Sequence, residues 1–341
     1  MNTDYDIRLK KALENEHAKI FDGSGAMKET VKEELSACPV CDSKELGIYC
    51  IKDLFVHQKC DKCNFVFLNP RLNQEATVSF YNSEVNEVYN ENKFHGIEED
   101  APDNIENLKN YKLLRENVTE VKGKKLLEIG CGKGTFLAKA ASDGFDVYAI
   151  ELNKLLIENL KKITPNIYTE DIHDLDLEDN FFDVIYFRDV MEHIPSIGSF
   201  LKKIQQILKP GGLLFIDTHN IDSVVNSITK EFHTVIFAFE HPVHWSPKTL
   251  QLAGERAGLT YSKVYFDHQH QSMLRILDYI ITPSFTYIYP PKKNGLKMLF
   301  LKGLHSFLKL KIMRPFDLKI MDMVSKMTNR GSKMQVLFTK K

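Results

Sequence analysis

Residues 126–136 read LLEIGCGKGTF. An apolar run with Glu128 inside it stops at three glycines in alternate positions, Gly130, Gly132 and Gly134, and a helical pattern starts at Thr135. A buried strand that exits through a glycine turn into a helix leaves main-chain N–H groups free to face a ligand. The spacing narrows what that ligand is. A phosphate-binding loop needs Ser or Thr after its lysine, and Lys133 is followed by Gly134. A dinucleotide fingerprint needs G-x-G-x-x-G, and the third glycine here comes one residue early.

Outward from the loop, KKLLEIG, DVYAIE, FDVIYFRD and GGLLFIDTH read as strands, with TFLAKAASDG and IGSFLKKIQQIL as helices between them. Alternating strand and helix predicts an α/β fold on a doubly wound, mostly parallel sheet. TYSKVYF and MQVLFTKK are candidate further strands. The second strand ends in Glu151 and Leu152. A carboxylate there can accept both hydroxyl hydrogens of an adenosine ribose, which is common to NAD and S-adenosylmethionine sites. An NAD-using oxidoreductase therefore stands as a rival reading.

Four stretches in register, LLEIGCGKGTF, VYAIELN, TEDIHDLDLEDNFFDVIYFRDVMEHIP and ILKPGGLLFIDT, resemble the successive motifs of class I S-adenosylmethionine-dependent methyltransferases. The resemblance covers about Lys124 to Leu259. It implies a Rossmann-like, seven-stranded sheet with S-adenosylmethionine as cofactor. By position it implies that Glu128, Gly130 and Gly132, with Cys131 and Gly134 in the same loop, border the methionine part. Glu151 would hold the ribose with Leu152 beside it, Asp171 and Ile172 would border the adenine, and Asp189 with Val190 would line the floor after the fourth strand. Each has a plainer alternative. Glu128 reads also as a carboxylate bonded to the glycine loop, Asp171 as the N-cap of a helix over IHDLDL, and Cys131 as a small filler.

Methyl transfer from a sulfonium is an in-line displacement, so a hydroxyl acceptor must be aligned with the methyl carbon and lose a proton. His193 in RDVMEHIP is the first candidate base, and His241 and His244 in HPVHW are the second. A helix beginning at Asp189 would set Asp189, Glu192 and His193 on one face as a partial shell for a divalent metal. The stretch resembles the E-x-x-E-H form of metal-assisted O-methyltransferases acting on catechols in ubiquinone synthesis or on RNA ribose, with Asp replacing the first Glu. EHPVHWSPKTLQLAGERAGL resembles the region after the fifth strand in methyltransferases of natural products and surface glycans, which implies an acceptor docked near its His and Trp. The alternative is Trp245 in the core and Ser246 capping a helix that opens at Pro247.

Cys38 and Cys41 form C-x2-C, and Cys60 and Cys63 repeat it after eighteen intervening residues. Two such knuckles predict a four-thiolate zinc ribbon, closed and therefore structural. Cys50 is unassigned. With the FVFLNPR that follows, the ribbon resembles the N-terminal module of a subgroup of bacterial small-molecule and sugar methyltransferases. It carries no concentrated basic stripe, which speaks against a nucleic-acid-binding module.

The 341 residues, 43% hydrophobic, suffice for one full core and a second small domain. The expected order is a leader over 1–36, the ribbon over 37–72, a helical connector or lid over 73–121, the core over 122–267, a basic amphipathic insertion over 268–332 and a last core strand over 333–341. Tyr81, Tyr89, Phe94, Tyr111 and Leu114 are scattered along the connector. A polar start without the apolar core of a signal peptide, and no apolar stretch near a membrane span, predict a cytoplasmic protein. From Pro283 on, thirteen Lys/Arg face two Asp, about +11 against a whole-chain charge of -1. LKMLFLKGLHSFLKLKIM in that segment reads either as a core helix or, through 292–314, as a peripheral contact with the inner face of a membrane. In that second case a lipid-linked glycan precursor joins small molecules as a possible acceptor.

Overall fold

The computed structural model describes residues 3–88, 102–268, 272–281, 295–309 and 313–341. The N-terminal part supplies five short strands: β1 (Lys32–Glu33), β2 (Leu46–Lys52), β3 (Phe55–Cys60), β4 (Val66–Leu68) and β5 (Arg71–Leu72). The core supplies β6 (Lys125–Ile129), β7 (Asp146–Ile150), β8 (Ile167–Tyr168), β9 (Phe182–Arg188), β10 (Leu208–His219), β11 (Val243–His244), β12 (Leu259–Asp267) and β13 (Lys333–Lys340).

Seven of these form one sheet in the order β12-β13-β10-β9-β6-β7-β8. The strands from β6 to β10 run parallel, and β13 enters antiparallel between β10 and β12. This is the doubly wound, mostly parallel sheet that the strand and helix alternation predicts. Its winding direction reverses between β6 and β9, the place where such sheets open a crevice at their carboxyl ends. β8 is only two residues long, too short to show as an apolar run in the sequence.

Helices cover both faces because each presents an apolar stripe. Ile197–Ile207 buries Ile197, Phe200, Leu201, Ile204 and Ile207 at helical spacing. Thr135–Ser142 buries Phe136, Leu137 and Ala140. The ring of Phe136 stacks on Tyr186 of β9 with centroids 3.8 Å apart.

The ribbon does not stand apart from this core. Its sheet has the order β11-β4-β3-β2, so a strand from residues 243–244 pairs with Val66 and Phe67 and closes one edge. The leader forms a helix, Thr3–Ile20, whose Leu9, Leu13 and Ile20 pack with Phe55, Leu68, Phe80 and Phe239.

The connector contributes helices Gln74–Tyr81 and Pro102–Asn117. Tyr89 and Phe94 lie outside the described residues. Between β12 and β13 the basic segment forms helices Met273–Ile281, Gly295–Leu308 and Arg314–Thr328. Residues 292–294 and 310–312 of the membrane-contact expectation also lie outside the description. The last of the three helices exposes Phe316, Ile320, Met323 and Met327 along one stripe. No described helix is long and apolar enough to cross a membrane.

Candidate active site at the strand ends

At two of the three glycines of the loop the surroundings leave no room for a side chain. At Gly130 the backbone has φ +70°, and a Cβ would stand 2.9 Å from Val190. At Gly134, with φ +79°, it would meet Ile163 and Leu160 at 2.7 Å. A side chain at either position meets both steric clash and left-handed strain. The Gly130 contact also shows that the turn after β9 lies against the loop after β6.

Glu151 reaches across from β7 into this loop. Its Oε2 accepts from the Gly132 N–H at 2.8 Å and its Oε1 from the Asn153 N–H at 2.8 Å. Leu152 beside it is exposed. Glu128 is buried, and burial pushes its carboxyl up to about 8, partly offset by the nearby Arg188 charge. Its Oε2 has no hydrogen-bond partner, so the glycine loop does not satisfy it in full. Cys131 is buried with its thiol directed at the Glu128 carbonyl at 3.4 Å. Burial raises that thiol well above its ordinary value, outweighing any lowering by the adjacent helix start.

Two expectations are corrected by the local backbone. No helix follows Asp171. Its side chain accepts from the His173 N–H at 2.9 Å in an Asx turn, while Ile172 is buried in the main core. Nor does a helix begin at Asp189. That residue sits at φ +53°, and only a single 3-10 turn, Met191–His193, follows.

The consequence is that Asp189 and Glu192 part company. Asp189 binds the Lys333 ammonium at 3.0 Å, and Lys333 also bonds Glu106 at 3.0 Å, with Arg188 closing the set on Glu106 at 2.8 Å. Glu192 turns inward. It accepts from Thr218 Oγ1 at 2.8 Å and meets His219 Nδ1 at 3.3 Å. Burial alone would raise its carboxyl, but the His219 hydrogen bond and the surrounding imidazoles hold it well below the carboxylate range.

The place expected for Asp189 is taken by His241. One ligand atom from each of Glu192, His193 and His241 lies within 4.8 Å of the others. His193 Nδ1 lies 2.9 Å from the Glu240 carbonyl and His241 Nδ1 lies 2.8 Å from the Val235 carbonyl. A carbonyl only accepts, so both Nδ1 atoms carry hydrogen and both Nε2 atoms keep a lone pair. The rings stand edge to face, 4.8 Å apart. Tyr81 from the connector brings its hydroxyl to 3.3 Å from His193, and the two line a cleft with Leu72, Phe239 and Glu240.

His244 is not at this cleft. Pairing of β11 with β4 turns its side chain inside, where it is fully buried between His219 and His57. It cannot touch an acceptor directly. Trp245 is also buried, donating to the Met191 carbonyl at 3.0 Å, and Ser246 caps the helix Pro247–Arg256 in a capping box.

The connector helix Pro102–Asn117 turns a polar face to the same strand ends. Asn104 accepts from Thr135 Oγ1 at 2.7 Å, and Asn110 donates to Asp217 at the end of β10. Burial raises the Asp217 carboxyl to about 7, against the pull of Lys333.

In the ribbon, Cys38 and Cys63 sulfurs lie 3.6 Å apart and Cys41 and Cys60 3.5 Å apart, and all four fall within 4.8 Å. Sulfurs about 2.3 Å from a tetrahedral zinc stand in about this relation, so the four residues fit that ion. Cys50 is buried on β2 outside the group.

His57, His219, Tyr81, Arg188 and Lys333 were not anticipated. His219 could have been found, since it ends a parallel strand at the face where such sheets bind ligands. Nothing in the sequence around His57 marks it.

Residues 101–264 match the family model described as a methyltransferase domain. Among curated proteins, the chain is 30% identical over 130 residues to a ubiquinone biosynthesis O-methyltransferase of Rickettsia typhi, covering 36% of this chain and 50% of that protein. It is 26% identical over 180 residues to the enzyme of the same name from Rickettsia felis, covering 51% of this chain and 68% of that one. The chain spans about half the length of the first such relatives. Among solved structures, an S-adenosylmethionine-dependent methyltransferase from Archaeoglobus fulgidus aligns with a TM-score of 0.45 at 18% identity, covering 69% of this chain and 94% of that one. The segment 101–264, with its glycine loop, its acid after the second strand and its reversing sheet, is a methyltransferase domain.

Proposed function

We propose that the chain is an S-adenosylmethionine-dependent O-methyltransferase acting on a small hydroxyl-bearing molecule, with a catechol the first class to try. The contact of Gly130 with Val190 carries this reading, because it sets the donor loop and the Glu192–His193 turn side by side. When bound, S-adenosylmethionine supplies the electrophilic methyl group. In this reading Glu151 holds the ribose, and the buried Glu128 at the end of β6, one of whose oxygens has no partner, meets a positively charged group. In this reading His193 takes the acceptor's proton at Nε2, its Nδ1–H anchored to the Glu240 carbonyl.

A second reading keeps the same residues and changes their task. Glu192, His193 and His241 would hold a divalent cation, which would polarise the acceptor oxygen. Anchoring of both Nδ1–H groups on carbonyls favours it, because ligating imidazoles are oriented in this way. The names of the curated relatives support a small-molecule acceptor. The expectation of a surface-glycan or lipid-linked sugar acceptor has no feature of the described cleft behind it.

The test is transfer of labelled methyl from S-adenosylmethionine to a panel of simple catechols, alongside calorimetry with S-adenosylhomocysteine. Binding with transfer to a catechol oxygen is the expected result. Thermal protection by NAD but not by S-adenosylhomocysteine would replace the donor assignment, and donor binding without transfer to any catechol would remove the acceptor class.

A further inference from the structure

We propose that His57 of the ribbon is a positioning residue for the Glu192, His193 and His241 group, acting through His244 and His219. The inference rests on the reading of that group as a cation site. Four side chains form a file. Glu192 Oε1 lies 3.3 Å from His219 Nδ1, His219 Nε2 lies 3.4 Å from His244 Nδ1, and His244 Nε2 lies 3.2 Å from His57 Nδ1.

The direction of each bond follows from its first member. An ionised carboxylate only accepts, so His219 Nδ1 donates to it. In the tautomer with its hydrogen on Nδ1, His219 accepts at Nε2 from His244 Nδ1–H, and His244 accepts at Nε2 from His57 Nδ1–H. Burial, first of all, keeps His57 and His244 neutral. The file ends at His57 Nε2, which has no partner. Each tautomer is thus fixed by the ring beside it, and the Nδ1–H of His57 is the last donor in the series.

Packing alone does not call for this arrangement. His57 and His244 are fully buried and His219 nearly so, and three imidazoles in an interior cost more than aliphatic side chains of similar volume unless each polar atom is paired. What the file achieves is a fixed orientation for Glu192, whose other oxygen is held by Thr218. Removing the His57 donor leaves His244 Nε2 buried without a partner, frees its tautomer, and with it that of His219.

The test uses the full-length, zinc-loaded chain and manganous ion as probe. Asparagine places an amide N–H near the position of imidazole Nδ1, whereas leucine supplies bulk without a donor. His57→Leu should weaken manganese binding roughly 10- to 100-fold, and His57→Asn should stay within roughly threefold of the parent. S-adenosylhomocysteine affinity should be the same in all three. Should the leucine variant fail to fold, His57→Gln, whose amide falls near Nε2 instead, takes its place with the same expectation. A packing role predicts the opposite order, with leucine harmless. The proposal is overturned if His57→Leu or His57→Gln binds manganese as the parent does, if His57→Asn loses as much as they do, or if the parent shows no saturable binding that Glu192→Gln abolishes. Retained S-adenosylhomocysteine binding in that last case leaves the donor reading standing.

Discussion

The four thiols of the ribbon and the carboxylate and imidazole groups at the strand ends both gather potent atoms within 4.8 Å, and they differ in what they leave over. In the ribbon, four like ligands fit one tetrahedral ion and no valence remains. At the strand ends the ligand set is mixed and half-exposed, two Nε2 lone pairs are left by the carbonyl anchors, and a Glu128 oxygen nearby has no partner. A closed set stabilises; an open set is available for chemistry.

Metal removal should break that contrast most severely. Chelation, or Cys60→Ser, should cost the ribbon on the order of 10 kcal/mol of folding free energy. Scanning calorimetry should then show an early extra transition, and an unchanged single melt would mean that the ribbon holds without its ion.

A smaller effect concerns the unpaired acid. The Glu128 carboxyl is raised in the folded chain from 4.5 to about 8, with burial as the main cause. The native state therefore keeps a proton that the unfolded chain releases between those values, and stability falls as pH rises through that window. Glu128→Gln should match the parent near pH 5 and exceed it at pH 8, by on the order of a few kcal/mol at most. Parallel melting curves at both pH values would remove the idea of an acid left over.

The smallest effect sharpens the open site's role. Glu151→Ala should weaken S-adenosylhomocysteine binding several-fold to about a hundredfold, the value of one or two charge-assisted hydrogen bonds. Unchanged affinity would take Glu151 off the ribose.

The two regions were unequally visible in the sequence for a physical reason. The thiol group is local, since two C-x2-C knuckles on neighbouring turns announce themselves by spacing. The glycine loop was legible for the same reason, and so were the strands, whose apolar runs are continuous because both faces of the sheet are covered. The histidine group is assembled from residues 57, 193, 219, 241 and 244, brought together only when β11 pairs with β4 and the sheet ends converge. Helical spacing over 189–193 suggested one shared face, yet positive φ at Asp189 and its bond to Lys333 send the two acids apart. No window of sequence contains that competition.

The pairing of Val243–His244 with β4 has one more implication. Severing the chain after residue 72 would bare an edge of the small sheet and strip the larger part of His57 at once. An exchange of either part alone would therefore have to resupply both that edge strand and the imidazole that His244 meets.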